Sequence, residues 1–216
     1  SAWLLEASPN PAIDVFTETN EAVHGLFVDH LNPWSMRYTN IYHHTLWYGP
    51  GAADNDWIYV GFPYPPLSLL ISAIGYAFGD IRWANVGALA IAALACGLSR
   101  TRHGPLGAVL LLTTPRVLFM LEQGWTDVYL IGLCALVLIT WQRWPRLTPF
   151  ALGLMLVSKQ YMIFIAPLVP LLFQPGWSRR QMATFLGIAA GVGLLVNLPF
   201  IAMGPDVLLK ALTYSQ

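Results

Sequence analysis

The sequence has few charged residues for its length. Only 10% of its 216 residues are Asp, Glu, Lys or Arg, whereas 56% are hydrophobic. Soluble domains of this size carry roughly a quarter charged residues, so this chain has too few charges to cover a surface that faces water. The deficit excludes an ordinary soluble domain and predicts an integral membrane protein.

Other absences in the sequence limit the partners and sites that we expect. The formal net charge is zero, which argues against a nucleic-acid partner because phosphate binding needs an excess of Lys and Arg on one face. No Gly-rich phosphate loop is present, so the sequence predicts no nucleotide site. The two cysteines, Cys96 and Cys134, lie within apolar stretches, and we expect them to be inert core thiols.

The chain has no internal repeat, and its ends suggest an excerpt. It begins at Ser1 rather than Met and ends at Gln216 within an amphipathic stretch. We therefore expect an N-terminal fragment of a longer membrane protein that lacks the first membrane span.

Residues 1–65 are polar and rich in turn-forming residues. They hold four of the five histidines and seven of the eleven acids: Glu6, Asp14, Glu18, Glu21, Asp29, Asp54 and Asp56. Pro, Gly and Asn punctuate the segment. The pattern predicts a long structured loop over 1–82 with short helices, one of them over 14–28.

Apolar runs fill the rest of the chain, at 83–99, 105–121, 126–142, 148–173 and 182–203. Helices of about 17 to 22 residues cross a hydrocarbon core of roughly 30 Å. The run 148–173 contains Lys159 and Gln160 near its middle, where a charge is costly unless it is paired or reaches water. We predict a break there, which gives two short crossings over 148–158 and 161–173.

The basic residues support this break. Cytoplasmic loops are enriched in Lys and Arg, and a broken run places all three basic connections on one side of the membrane. These connections are Arg100 with Arg102, Arg143 with Arg146, and Arg179 with Arg180. All eleven acids then fall on the opposite, external side, although acids do not determine topology.

The segment 67–79 is too short to span comfortably, and we interpret it as a helix at the external interface. The predicted fold is therefore all-α: a polytopic transmembrane helix bundle over 83–216, with a long external first loop containing short interfacial helices. A short external tail follows residue 203.

Several motifs, taken in order, resemble the GT-C glycosyltransferases, and more narrowly bacterial mannosyltransferase-like membrane enzymes that use polyprenyl-phosphate sugars. The family pattern is an Asp, an amphipathic helix, a small turn and Asn-Pro-aromatic. The matching segments cover most of the chain: Ala12-Ile13-Asp14-Val15-Phe16, Glu21-Ala22-Val23-His24-Gly25, His30-Leu31-Asn32-Pro33-Trp34, Tyr64-Pro65-Pro66-Leu67, Gly79-Asp80-Ile81-Arg82, Leu121-Glu122-Gln123-Gly124 with Asp127, and Ser158-Lys159-Gln160.

The resemblance implies that Asp14 is the catalytic base, because the family places its catalytic Asp on this loop. A base must accept the proton of an acceptor hydroxyl as it attacks the anomeric carbon. An acid at the start of a helix is also stabilised by the helix dipole and free amides. The two interpretations are compatible.

A phosphate leaving group needs positive charge nearby, and the external or intramembrane cations are Arg82, Arg116 and Lys159. We assign all three to substrate binding. Two of them have a structural alternative: Arg82 as an interfacial anchor, and Arg116 as the partner of Glu122 or Asp127 in a buried pair. Lys159 interrupts an apolar run, which favours a functional role.

Polar and aromatic side chains of the loops complete the predicted binding site. Gln123 and Asp127 could bind sugar hydroxyls, or Asp127 could simply cap the next helix. Tyr64 is assigned to the substrate, while most loop aromatics fit an interfacial belt as well as sugar stacking.

The sequence predicts no cofactor and no metal site. The loop histidines and acids invite a divalent-metal hypothesis, which we do not favour because their spacing matches no standard site. Solvated histidines are the simpler interpretation.

Two functions follow from these patterns. The first is an inverting transferase that moves a hexose, such as mannose, from a polyprenyl-phosphate donor to a glycolipid, glycan or protein hydroxyl. It would act in the cell envelope, on the periplasmic face of a bacterial plasma membrane. The alternative is a non-catalytic transporter of a lipid or small solute, with Arg116 and Lys159 along its path, although we find none of the internal symmetry typical of transporters.

Overall fold

The computed structural model describes residues 3–214, which are mostly helical. The elements in chain order are α1 (Trp3–Ala7), α2 (Asp14–Phe27), β1 (Tyr38–Thr39), β2 (Trp57–Ile58), α3 (Pro66–Ala77), α4 (Arg82–Leu98), α5 (Gly104–Thr113), α6 (Pro115–Glu122), α7 (Asp127–Arg143), α8 (Thr148–Leu156), a 3-10 helix (Gln160–Leu172), α9 (Arg179–Met203) and α10 (Pro205–Tyr214). The prediction of an all-α chain is confirmed.

The polar first segment has its own small core. The strands β1 and β2 are antiparallel, and Tyr38 pairs with Ile58. Both residues are buried together with Val23 of α2 and Trp34. The ring of Trp34 lies 5.2 Å from that of Phe200 near the end of α9, centroid to centroid. The segment is therefore folded onto one end of the helices.

Close helix packing holds the apolar part together. Helix α4 packs against α7, which packs against α8, which packs against α9. Glycines allow this approach: a Cβ at Gly132 of α7 would lie 2.9 Å from the carbonyl oxygen of Ala88 in α4. A Cβ at Gly153 of α8 would lie 2.5 Å from the carbonyl oxygen of Ala189 in α9.

The chain leaves the α-helix between α8 and the 3-10 helix, at the segment where the sequence predicted a break. Lys159 is extended, with φ −146° and ψ 146°. Ser68 of α3 donates a 2.6 Å hydrogen bond to the carbonyl oxygen of Ser158, which satisfies a backbone acceptor exposed by the break. The following residues form a 3-10 helix rather than the expected α-helix. Pro167 and Pro170 lie within it and lack the amide donors that an α-helix needs.

A second difference concerns the predicted continuous span 105–121. It is divided at Thr114–Pro115 into α5 and α6, whose axes differ by 52°. Thr114 has ψ 124°, as expected because a following proline disfavours the helical conformation. Pro115 therefore interrupts the span that was predicted as continuous.

Length and composition make α9 the one helix within residues 3–214 that could cross a membrane unaided. The number rises to three if each bent pair, α3 with α4 and α5 with α6, is counted as a span. Helices α3 and α4 meet at 106°. Many large apolar side chains face outward, among them Leu94, Leu110, Phe164 and Leu195. An apolar outer surface of this kind suits lipid rather than water.

The three basic connections meet at one end of the helices. The Arg143 guanidinium donates a 2.6 Å hydrogen bond to the carbonyl oxygen of Leu98 at the end of α4. Arg146 and Arg180 line a common cavity. Helices α4 and α7 both run towards this basic end, and α9 runs away from it towards the polar first segment.

The contact between α8 and α9 gives a prediction for Gly153→Ala. The added methyl would meet backbone, which cannot rotate away, so we expect a loss of roughly 1–3 kcal/mol in unfolding free energy. Thermal unfolding in detergent, followed by tryptophan fluorescence, measures it. Gly187→Ala is the matched control: no atom lies within 4 Å of its Cβ, and greater helix propensity should add up to about 1 kcal/mol. Equal stability of the two variants would contradict the packing.

Candidate functional site

Arg82, at the start of α4, holds the polar segment in place. Its side chain is fully buried and lies 2.6 Å from the Asp80 carboxylate. Its remaining N–H groups donate to the carbonyl oxygens of Ser8 at 2.7 Å and Glu122 at 3.0 Å. The guanidinium also lies 5.0 Å from the ring of Phe16 in α2. These partners occupy the guanidinium, so the assignment of Arg82 to substrate binding is replaced by a structural role.

Asp14 is the first residue of α2 and faces a cavity. Its Oδ1 accepts a 2.8 Å hydrogen bond from the amide of Val15, and its Oδ2 accepts one from the Tyr48 hydroxyl at 3.3 Å. The first contact is that expected of an acid at a helix N-terminus. The second holds the carboxylate beside the cavity, and this geometry is compatible with either interpretation of Asp14.

The cavity has a volume of about 490 Å³ and lies between the polar segment and the break after α8. The polar segment contributes Asp14, Val15, Glu18, Trp47, Tyr48, Gly49, Ala52, Ile58, Val60, Pro63 and Tyr64. The break contributes Lys159, Gln160 and Tyr161. Three of the residues selected from the sequence, Asp14, Tyr64 and Lys159, thus meet in one cavity.

Lys159 is buried and paired. Its Nζ lies 3.1 Å from Oδ2 of Asp127 and 4.6 Å from the centroid of the Tyr64 ring. The Tyr161 hydroxyl donates a 2.7 Å hydrogen bond to the other carboxylate oxygen of Asp127. Asp127 therefore lies behind the cavity, where it holds Lys159 and Tyr161, and is not among the residues that line it.

Glu18 is a cavity residue that the sequence analysis did not select. It lies one helical turn after Asp14 and is 7% exposed, and within residues 3–214 its carboxyl group has no hydrogen-bond partner. Burial, followed by the nearby carboxylates of Asp14 and Glu21, raises the pKa of Glu18 to about 8. The i, i+4 spacing of two acids in α2 was the available signal, because it places both on one helix face.

Arg116 and Gln123 do not line the cavity. Arg116 is exposed, and its guanidinium lies 4.9 Å from the ring of Trp125. No ion pair to Glu122 or Asp127 is found in the described part of the chain, so the predicted buried pair is wrong. Gln123 follows α6, and its backbone N–H donates a 3.0 Å hydrogen bond to the carbonyl oxygen of Phe119.

The histidines and acids of the first segment are dispersed. No group of three His, Cys, Asp or Glu side chains that could hold a metal ion occurs among residues 3–214. His24 contacts the Tyr76 hydroxyl at 2.9 Å, and His43 lies 3.9 Å from Asp56 in an exposed pair.

Comparison with protein-family models, with curated proteins and with solved structures found no match to this chain. The cavity and its side chains are therefore the basis for any statement about function. Two features define its chemistry: a fixed carboxylate at Asp14 and a buried ammonium at Lys159.

The raised pKa of Glu18 predicts a pH-dependent stability. Below the ordinary value of 4.5 the carboxyl is protonated in the folded and unfolded protein alike; between 4.5 and about 8 only the folded protein keeps the proton. Stability should therefore fall as pH rises through this range, by on the order of a few kcal/mol. Thermal unfolding between about pH 5 and pH 8.5 measures this, with Glu18→Gln expected to flatten the profile.

The matched control is Glu6→Gln, which removes an exposed carboxylate from α1. Its profile should follow that of the unmodified chain. A Glu18→Gln profile as steep as that of the unmodified chain would mean that Glu18 titrates normally.

Proposed function

We propose that the chain belongs to a membrane glycosyltransferase of GT-C type that moves a hexose from a polyprenyl phosphate to a hydroxyl group. The observation that carries this proposal is the shared cavity. Asp14 comes from the polar segment and Lys159 from a break in the apolar region, and both line it. The required base and the required cation for a phosphate leaving group thus lie at one place.

The proposed placement in the membrane is supported by the distribution of charge. The apolar helices α4 to α9 cross the bilayer, the run after α7 as two short pieces. The end that carries Arg100, Arg143 and Arg180 faces the cytoplasm, in agreement with the enrichment of Lys and Arg in cytoplasmic loops. The cavity then faces the periplasm of a bacterial plasma membrane, where a polyprenyl tail reaches it sideways from the lipid.

The proposed reaction is a single displacement at the anomeric carbon. The acceptor oxygen forms a bond to this carbon while the bond from the carbon to the phosphate oxygen breaks, and the configuration inverts. The acceptor proton moves to Asp14. The hydrogen bond from Tyr48 keeps the carboxylate oriented towards the cavity, which favours transfer of this proton.

Lys159 would stabilise the departing polyprenyl phosphate. A sugar phosphodiester carries one negative charge, and the cavity offers one ammonium group. Glu18 is compatible with this anion because its raised pKa, about 8, keeps it largely protonated at neutral pH. The cavity therefore presents one lining carboxylate, rather than two, beside the donor.

The other lining groups suit a sugar. Trp47, Tyr48 and Tyr64 provide aromatic surfaces of the kind that pack against the apolar face of a hexose. The side-chain oxygen of Gln160 has no hydrogen-bond partner among the described residues, and it is a ready acceptor for a sugar hydroxyl.

The first functional prediction concerns Asp14→Asn. The amide cannot take the proton, so transfer from a radiolabelled polyprenyl-phosphate mannose in membranes containing the full-length protein should fall by about 10²–10⁴-fold. Donor binding should be retained. The control Asp56→Asn changes an exposed acid of the same segment that does not line the cavity. Undiminished transfer by Asp14→Asn would remove Asp14 from its role.

A second functional prediction concerns Lys159, which is best replaced together with its ion-pair partner Asp127. Lys159→Gln alone would leave the Asp127 carboxylate without its cation, which is destabilising. The double variant Lys159→Gln/Asp127→Asn avoids this charge, and we expect it to fold and to transfer about 10²–10³-fold more slowly. Asp127→Glu, which keeps both charges of the pair, should keep most activity. Full activity of the double variant would exclude a role for Lys159.

A further inference from the structure

A second cavity, of about 630 Å³, lies at the basic end of the helices, away from Asp14 and Lys159. It is bounded by the residues before and at the start of α8 and by the first turns of α9. Arg146 and Arg180 line it together with the amide side chains of Gln174 and Gln181. The apolar part of its wall includes Trp177 and Phe185, whose ring centroids are 5.6 Å apart.

No acidic side chain of residues 3–214 neutralises the positive charge of this cavity. The sequence contains no acidic residue between Asp127 and Asp206. Arg146 and Arg180 are exposed, and in residues 3–214 neither side chain forms an ion pair or a hydrogen bond. Both guanidinium groups are therefore available to an anion from outside the chain.

The backbone adds to this positive potential. Helices α8 and α9 both begin beside the cavity, and neither has an acid in its first turn. The N-terminal end of a helix carries a partial positive charge, so Arg180 in the first turn of α9 is unfavourably placed unless an anion is near. Planar guanidinium groups bind phosphate oxygens well.

The apolar wall of the cavity favours a lipid phosphate over a free phosphate ion as the bound anion. A cavity that joins two guanidinium groups to the rings of Trp177 and Phe185 matches a molecule with a charged head and a hydrocarbon tail. Leu186, the next residue of α9, is 45% exposed, so the apolar surface continues outwards along the helix. An inorganic phosphate ion would leave this surface unused.

We propose that this cavity binds the headgroup of an anionic phospholipid of the cytoplasmic leaflet, with the phosphate held between Arg146 and Arg180. The proposal rests on the proposed orientation in the membrane but not on the transfer chemistry. Basic pockets between membrane helices on the cytoplasmic side bind anionic lipids in this way. The lipid would brace the contact between α8 and α9, at the opposite end of α8 from the Lys159 break.

The test is a titration of the chain in neutral detergent with short-chain phosphatidylglycerol, followed by native mass spectrometry. Arg146→Gln/Arg180→Gln should weaken binding about thirtyfold. Arg102→Gln/Arg179→Gln is the matched control, because it also removes two exposed charges from the basic end without changing the cavity lining. It should bind nearly as well as the unmodified chain. An equal loss in both variants would indicate general charge attraction and overturn the site.

Two further measurements make the result specific. The variant Arg146→Lys/Arg180→Lys keeps both charges and provides a second test if the glutamine variant does not fold. Its affinity for the lipid should lie between those of the unmodified chain and the glutamine variant. Phosphatidylcholine and inorganic phosphate should not displace the bound lipid. Displacement by phosphate at similar concentration would overturn the lipid assignment. The lipid titration does not measure sugar transfer, so a failure of the proposed transfer activity would leave the lipid-binding result unaffected.

Discussion

The arrangement of the candidate site depends on the buried guanidinium of Arg82. A buried cation is costly unless it is paired and hydrogen-bonded, and here Asp80 and the carbonyl oxygens of α1 and α6 meet that need. These groups come from separate parts of the chain, so Arg82 fixes the polar segment against the start of α4. Its contact with Phe16 extends this restraint to α2, the helix that begins with Asp14.

The break after α8 supplies the other half of the site. An α-helix continuing through Lys159 would leave an ammonium group in an apolar run. The extended conformation of Lys159 instead directs it to Asp127 and the Tyr64 ring, and Ser68 satisfies the freed carbonyl oxygen of Ser158. At the opposite, basic end of the helices, Arg146 and Arg180 have no charged partner among the described residues. Their unpaired charges suit an anionic lipid.

Local patterns predicted much of this arrangement. The helix predicted over 14–28 is found as α2, and the charge within an apolar run predicted the break at Lys159. The sequence could not show that Arg82 is buried or that Asp127 forms an ion pair with Lys159. Both features depend on groups that are brought together only by folding. Glu18 was missed because its burial comes from tertiary packing, and Arg116 was wrongly paired because the ring of Trp125 takes the place of a carboxylate.

The start of α2 lies over the break after α8, so that Asp14 and Lys159 share one cavity. Thiol cross-linking tests it directly in a chain whose Cys96 and Cys134 are replaced by alanine. With a short bifunctional reagent, the pair Asp14→Cys/Lys159→Cys should link efficiently, whereas Asp14→Cys/Arg102→Cys, which joins opposite ends of the helices, should not. If the first pair links no better than the second, the cavity as described does not exist.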